Sequence, residues 1–226
     1  MATELLVSGV LPSAFYQQTA DLLTAFSERG EAFSLVETVF RRSASAVAPP
    51  PVGERLAAGG DGGVLLRVKA LRRSSAAGTS WTVQVSHTPE PQRTSPHALQ
   101  YSVNEVAVAE GGAHPHALAS ALGFGTHAFT LRQRGVRFER SGAVMAVYQL
   151  FESDTDPDPL DPTSYVVSAS VRFAQPVAVR AGASGTPTPA AANPTVSSQE
   201  ARETALAALE QVKRLLKGLV DLRRVE

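Results

Sequence analysis

Cysteine is absent from the 226-residue chain, which removes disulfide frameworks, thiolate zinc sites and cysteine nucleophiles in one step. The absence agrees with a cytosolic or nuclear protein. Lysine is nearly as scarce, at Lys69, Lys213 and Lys217 only. Neither sign of charge is in excess, with 21 Lys plus Arg against 21 Asp plus Glu. The basic surplus that drives binding to a phosphate backbone is therefore missing, and nucleic acid is not the expected primary partner. No stretch approaches the roughly 20 apolar residues that cross a bilayer as a helix. The segment Met1-Ala2-Thr3-Glu4-Leu5-Leu6-Val7 has no positive region ahead of its short apolar run, so no secretory signal is expected there. The arginine pairs Arg41-Arg42, Arg72-Arg73 and Arg223-Arg224 are isolated. A nuclear location would call for entry with a partner.

Catalytic apparatus is missing too. No Gly-x-Ser-x-Gly elbow, His-Glu-x-x-His or GK[ST] motif occurs, and Gly123-Phe124-Gly125 is too short to cradle a phosphate. His114-Pro115-His116 puts two imidazoles close together, but His87, His97 and His127 show no ligand spacing with it, and the expectation is an exposed loop without metal. Asp154, Asp156, Asp158 and Asp161 are interrupted by Pro157, Pro159 and Pro162, with no glycine for the sharp turn of a calcium loop. A solvated loop is expected. No cofactor and no enzymatic activity are expected.

What is present is mostly strand. Leu5 to Val10 reads as a short strand, and Pro12-Ser13 opens a helix that Ser13 can cap, with Phe15, Thr19, Leu22 and Phe26 on its core face. Phe33 to Arg42 returns to strand. Val64, Leu66, Val68 and Ala70 alternate with Leu65, Arg67, Lys69 and Leu71, and Trp81, Val83 and Val85 alternate with polar neighbours, which predicts a hairpin. Tyr101 to Ala107 continues the period of two, and a short helical piece follows around Ala117 to Leu122. Phe129 to Phe138 leads through Arg140-Ser141-Gly142 into a strand whose two faces, Val144, Ala146, Tyr148, Leu150 and Met145, Val147, Phe151, are both apolar. An open sheet with one wet face would alternate, so this strand is covered twice. Either the sheet closes with a helix outside it, or a partner lies on it. Tyr165 to Phe173 is one more strand.

Residues 43–63 and 180–196 are rich in Pro, Gly, Ala and Ser and are expected to be disordered insertions in a single domain spanning 1–226. Ser197 and Glu200 stand at capping-box spacing, and Leu206, Leu209, Val212, Leu216 and Leu219 form an apolar stripe. Lys213, Arg214 and Lys217 complement the negative helix end. Leu222 and Val225 suggest a resumed strand. The fold class expected is mainly β (α+β), with a helix near each end.

Three pieces resemble a known family. Gly135-Val136-Arg137-Phe138-Glu139-Arg140-Ser141-Gly142-Ala143-Val144-Met145-Ala146-Val147-Tyr148-Gln149-Leu150-Phe151 looks like the hairpin of Mediator complex subunit 18. The opening Glu4-Leu5-Leu6-Val7-Ser8-Gly9-Val10-Leu11-Pro12 and the closing Leu209 to Val225 resemble those of its fungal members. The chain departs from the pattern in its long Ala/Pro/Gly-rich loops and in Ser141, where some members have a second basic residue. The resemblance implies a many-stranded antiparallel β barrel with the C-terminal amphipathic helix packed on it. It also implies a place in the Mediator head module in the nucleus, pairing with subunit 20 and holding the C-terminal helix of subunit 8. The family helps couple regulators to RNA polymerase II. The residues expected to wall the partner groove are Val147, Phe151, Leu206, Leu209, Val212 and Leu216.

Two other classes stand beside it. The RNA triphosphatase tunnel family has a similar barrel but needs Glu-x-Glu repeats to hold a metal, and none occurs here. Glu37, Glu105 and Glu139 stand alone, and the interior is expected to be too apolar for that chemistry. A small-ligand carrier would line a cavity with Trp81, Phe129, Tyr148 and Phe173.

Overall fold

The computed structural model describes residues 2–42, 64–76, 78–109, 114–152, 155–174 and 198–225. The insertions expected at 43–63 and 180–196, together with Asp154 and Ser197, lie outside them. Eight antiparallel strands close into a barrel: β1 (Ala2–Pro12), β2 (Arg29–Arg41), β3 (Leu65–Arg73), β4 (Thr79–Ser86), β5 (Leu99–Val108), β6 (Thr126–Arg140), β7 (Ala143–Phe151) and β8 (Ser164–Ala174). Around the barrel they run β1-β5-β4-β3-β2-β6-β7-β8 and back to β1. The α1 helix (Tyr16–Phe26) follows a one-turn 3-10 segment at Ser13–Phe15, α2 (Pro115–Ala121) precedes β6, and α3 (Ser198–Leu215) follows β8. The fold is thus the expected one, a mostly β closed barrel with a helix near each end.

Local sequence explains the elements. The β6–β7 hairpin turns at Ser141 and Gly142, whose φ angles of 47° and 81° suit a mirror-image two-residue turn. Ser13 does not cap α1, because the chain first makes the 3-10 turn and the residue preceding the α-helix is Phe15, which has no side-chain cap bond. The core face of α1 keeps the expected Thr19 and Phe26, with Tyr16 and Leu23 in place of Phe15 and Leu22. Thr19 and Leu23 are buried, Tyr16 and Phe26 pack beside them, and Phe15 stays 41% exposed.

The seam between β1 and the rest of the sheet is uneven. All eleven residues of β1 pair with β8, from Ala2↔Ala174 to Pro12↔Ser164, but only Ala2 to Leu6 pair with β5. Past Leu6, the C-terminal tail takes over that edge. Ser8 and Arg223 exchange N–H and C=O bonds at 3.0 Å each, so the strand expected at the tail is a single bridge. Gly9 permits this, since a Cβ there would run into the Asp221 carbonyl and lie 2.9 Å from Val220.

Gly135 is the tightest point of the wall. It sits between Phe33 of β2 and Tyr148 of β7, whose rings meet edge to face 6.3 Å apart and fill the space a side chain would take. An added Cβ would strike the Val147 carbonyl and lie 2.6 Å from the Tyr148 Cα. Gly135→Ala is expected to cost about 3 kcal/mol or more, read as a lowered midpoint in urea unfolding.

Candidate functional site

Strand alternation divides the barrel into two chemically different surfaces. The outward residues of β1, β7 and β8, namely Leu5, Val7, Leu11, Met145, Val147, Val167, Ala169 and Val171, form one buried cluster with Ala205, Leu209, Val212, Leu216, Val220 and Leu222 of α3 and the tail. The two apolar faces of β7 are thereby explained. One faces into the barrel and the other lies under the chain's own helix.

The expected groove residues separate accordingly. Val147 and Leu216 are 0% exposed, Leu209 and Val212 are 1% exposed, and Leu206 packs at the margin of the same cluster. Phe151 is buried elsewhere, outside that cluster, with the Arg134 guanidinium 4.5 Å over its ring. In the chain by itself these side chains cover one another, so a partner could reach the four central ones only by displacing α3. That helix is fixed along its length to β5 and the segment before it. Arg202 binds Gln100 and the Thr94 carbonyl, Lys213 binds the His97 carbonyl, and Arg224 in the tail binds the carbonyls of Glu90 and Ser95.

The interior is not apolar, and that expectation is corrected. Every acidic residue carried by a strand is a glutamate, and by register Glu4, Glu31, Glu37, Glu105 and Glu139 all fall on the inward face with Arg67, Lys69, Arg73, Arg137 and Arg172. Arg172 bridges Glu4 at 3.0 Å and Glu105 at 2.8 Å. Arg67 pairs with Glu37, Lys69 binds Gln84 at 2.6 Å, Arg73 lies 3.5 Å from Glu31, and Arg137 lies 2.7 Å from Glu139. Buried charge is tolerable only when paired in this way. Burial, with Glu4 alongside, pushes the Tyr101 phenol far above its ordinary value, and burial raises Tyr148 as well. Among the described residues, no three His, Asp or Glu converge as metal ligands would.

The proposed cavity lining is also redistributed. Tyr148 does face inward. Trp81 lies on the outer face, packed with a second small core of Phe40, Leu66, Val68, Val83, Ala119 and Phe124. Phe173 packs against the helix-clad cluster, and Phe129 is 43% exposed. In β3, Leu66, Val68 and Ala70 are buried on the outer face, while Arg67 and Lys69, turned inward, keep partial exposure. Its aliphatic face is the outer one because α2 covers it.

The His-Pro-His motif is structural rather than a loose loop. His114 precedes α2 and accepts from the His116 backbone N–H, with Pro115 opening the helix. Its ring stacks on His116 at 5.0 Å, and His116 in turn meets Phe40 at 5.5 Å and Trp81 at 6.3 Å. Of the acidic loop, Asp161 accepts from the Thr163 N–H and from the hydroxyls of Thr163 and Ser164, which holds its carboxyl below the usual range and fixes the turn into β8.

Comparison with solved structures follows from this geometry. A chain in the structure of the Schizosaccharomyces pombe Mediator head module matches with a TM-score of 0.62 at 17% identity, covering 99% of this chain and 98% of that one. PH1819 protein from Pyrococcus horikoshii OT3 matches at 0.55 and 11% identity, covering 99% and 94%. A Hippeastrum protein described as an adenylyl cyclase with dominant triphosphatase activity reaches only 0.44 at 15% identity over 76% and 80%, and that likeness carries no argument. No family model matches the sequence, and no curated protein does. The first two likenesses identify the fold.

Two outcomes test this site. Leu209→Ala is expected to cost about 2–5 kcal/mol, measured by urea unfolding. Burial, with His114 and His127 nearby, holds His116 below the ordinary imidazole value, so the unfolded chain takes up its proton first. The stability involved is full above about pH 6.5 and falls as the pH drops through and below that value. Urea midpoints at about pH 7.5 and about pH 5.5 should differ less for His116→Phe than for the parent chain.

Proposed function

We propose that this chain is a non-enzymatic subunit of the Mediator head module, of the subunit 18 type. On this reading it works in the nucleus as a coactivator component, pairs with subunit 20, holds the C-terminal helix of subunit 8, and helps couple regulators to RNA polymerase II. The observation that carries the reading is the end-to-end match to a chain of a Mediator head module, 99% of this chain against 98% of that one at a TM-score of 0.62. The opening strand, the β6–β7 hairpin and the closing helix, which resemble the subunit 18 family in sequence, occur in that order along this barrel. The expected contacts of Val147, Phe151, Leu206, Leu209, Val212 and Leu216 then become largely indirect. All but Phe151 hold α3 and the tail in place, and the helix presents its outer surface to a partner.

The charged interior is the one observation that favours a second reading, hydrolysis of a triphosphate inside the barrel. Its glutamates, however, are committed to arginines, to Ser75 and to one another's partners. A triphosphatase would hold its carboxylates free for a metal. Release of phosphate from a nucleoside triphosphate that depends on added divalent metal would establish the second reading and end the first. For the first, co-expression with Mediator subunits 20 and 8 followed by size-exclusion chromatography is expected to give one stoichiometric ternary peak. Elution of this chain alone would contradict it.

A further inference from the structure

Among the described residues, α2 is the element that covers the outer wall of β2, β3 and β4, and it does so at one end. Beside α2 the wall holds a depression of about 150 Å³, lined among others by Ser34, Thr38, Arg72, Thr79, Trp81 and His116. The aromatic rings of Trp81 and His116 stand 6.3 Å apart along one side, and small side chains, Ala70 and Val36 with the hydroxyl residues, make the floor. Among the described residues, no carboxylate lines it.

Arg72 is the unusual member. The inward arginines Arg67, Arg73, Arg137 and Arg172 each have a glutamate partner. Arg72 faces the other way and has none among the described residues. Arg72 is exposed; its Nε donates to Thr79 Oγ1 at 3.0 Å, which orients the guanidinium, and its two terminal nitrogens have no acceptor among those residues. A guanidinium with its fork open is suited to two parallel bonds with a carboxylate, and rings beside it favour an apolar stem. The space matches one side chain rather than a cofactor.

We infer that this depression is a pocket for a single acidic side chain and its adjoining apolar residue, presented by a partner protein. The carboxylate sits on the Arg72 fork and the apolar group lies against Trp81. The inference rests on the scaffold reading for the partner, while the chemistry of the pocket can be tested without it.

Trp81 is the only tryptophan, so its emission reports the pocket directly. Titration of the full chain with 3-phenylpropionate is expected to give a saturable change, while 3-phenylpropionamide, which lacks the charge, binds at least roughly tenfold more weakly. Arg72→Gln, checked for an unchanged melting temperature, should lose the preference for the acid. Equal responses to acid and amide, or no saturable response, would overturn the pocket. In the second arm, Arg72→Gln is expected to weaken the complex with subunits 20 and 8 at least roughly tenfold, and an unchanged affinity would overturn the partner assignment. If the parent chain forms no such complex, the scaffold reading fails, and the fluorescence titration still decides the pocket.

Discussion

The rest of the structure depends on the apolar seal between α3 and the outer wall of β1, β7 and β8. A barrel that turns charge inward cannot be held by an oily centre, so its hydrophobic stabilisation has to be found outside, and helix burial supplies it. Leu209, Val212 and Leu216 with Val147, Val167 and Val7 belong to the larger of the two buried apolar clusters among the described residues. The tail then fastens the helix, with Arg223 bridged to Ser8 and Arg224 bound to two carbonyls before β5. Loss of the helix would expose the wall and leave the β1 edge unpaired past Leu6.

The interior follows from the same division. Paired charges inside a barrel contribute little net stability, because desolvation offsets attraction, but they penalise any register that separates partners. Arg172 touching both Glu4 and Glu105 ties β8 to β5 across β1, at the seam where β1 and β5 share only five residue pairs. The network therefore specifies which strands close the barrel, while the helices make the closed form stable. Function, on the reading proposed here, lies on the outer surfaces of the helices and of the sheet beside α2.

Strands and the C-terminal helix were legible in the sequence because their period is set by one dominant contact. β7 shows how far that goes. Two apolar faces announced a doubly covered strand, and left open whether the cover was the chain's own helix or another protein. The polarity of the barrel was not legible from β3, because alternation of Leu66, Val68 and Ala70 with Arg67 and Lys69 gives two faces without saying which is inside. Only the closure of the sheet, with α2 over the aliphatic face, decides it. Glu37, Glu105 and Glu139 looked solitary for a similar reason. Their partners lie on another strand, adjacent for Glu37 and across β1 for Glu105, or two residues along for Glu139, and none of these relations forms a recognisable motif. The Arg72 pocket left no trace in sequence at all, since its members come from β2, β3, β4 and α2.

The most direct test of the central claim, that α3 is part of the barrel wall in the isolated chain, is native-state hydrogen exchange of the protein without partners. The amides of α3, β7 and β8 are expected to open together, at the free energy of global unfolding. Exchange of α3 at rates near those of an unstructured peptide, while the strands stay protected, would contradict the account and make the helix a free docking element.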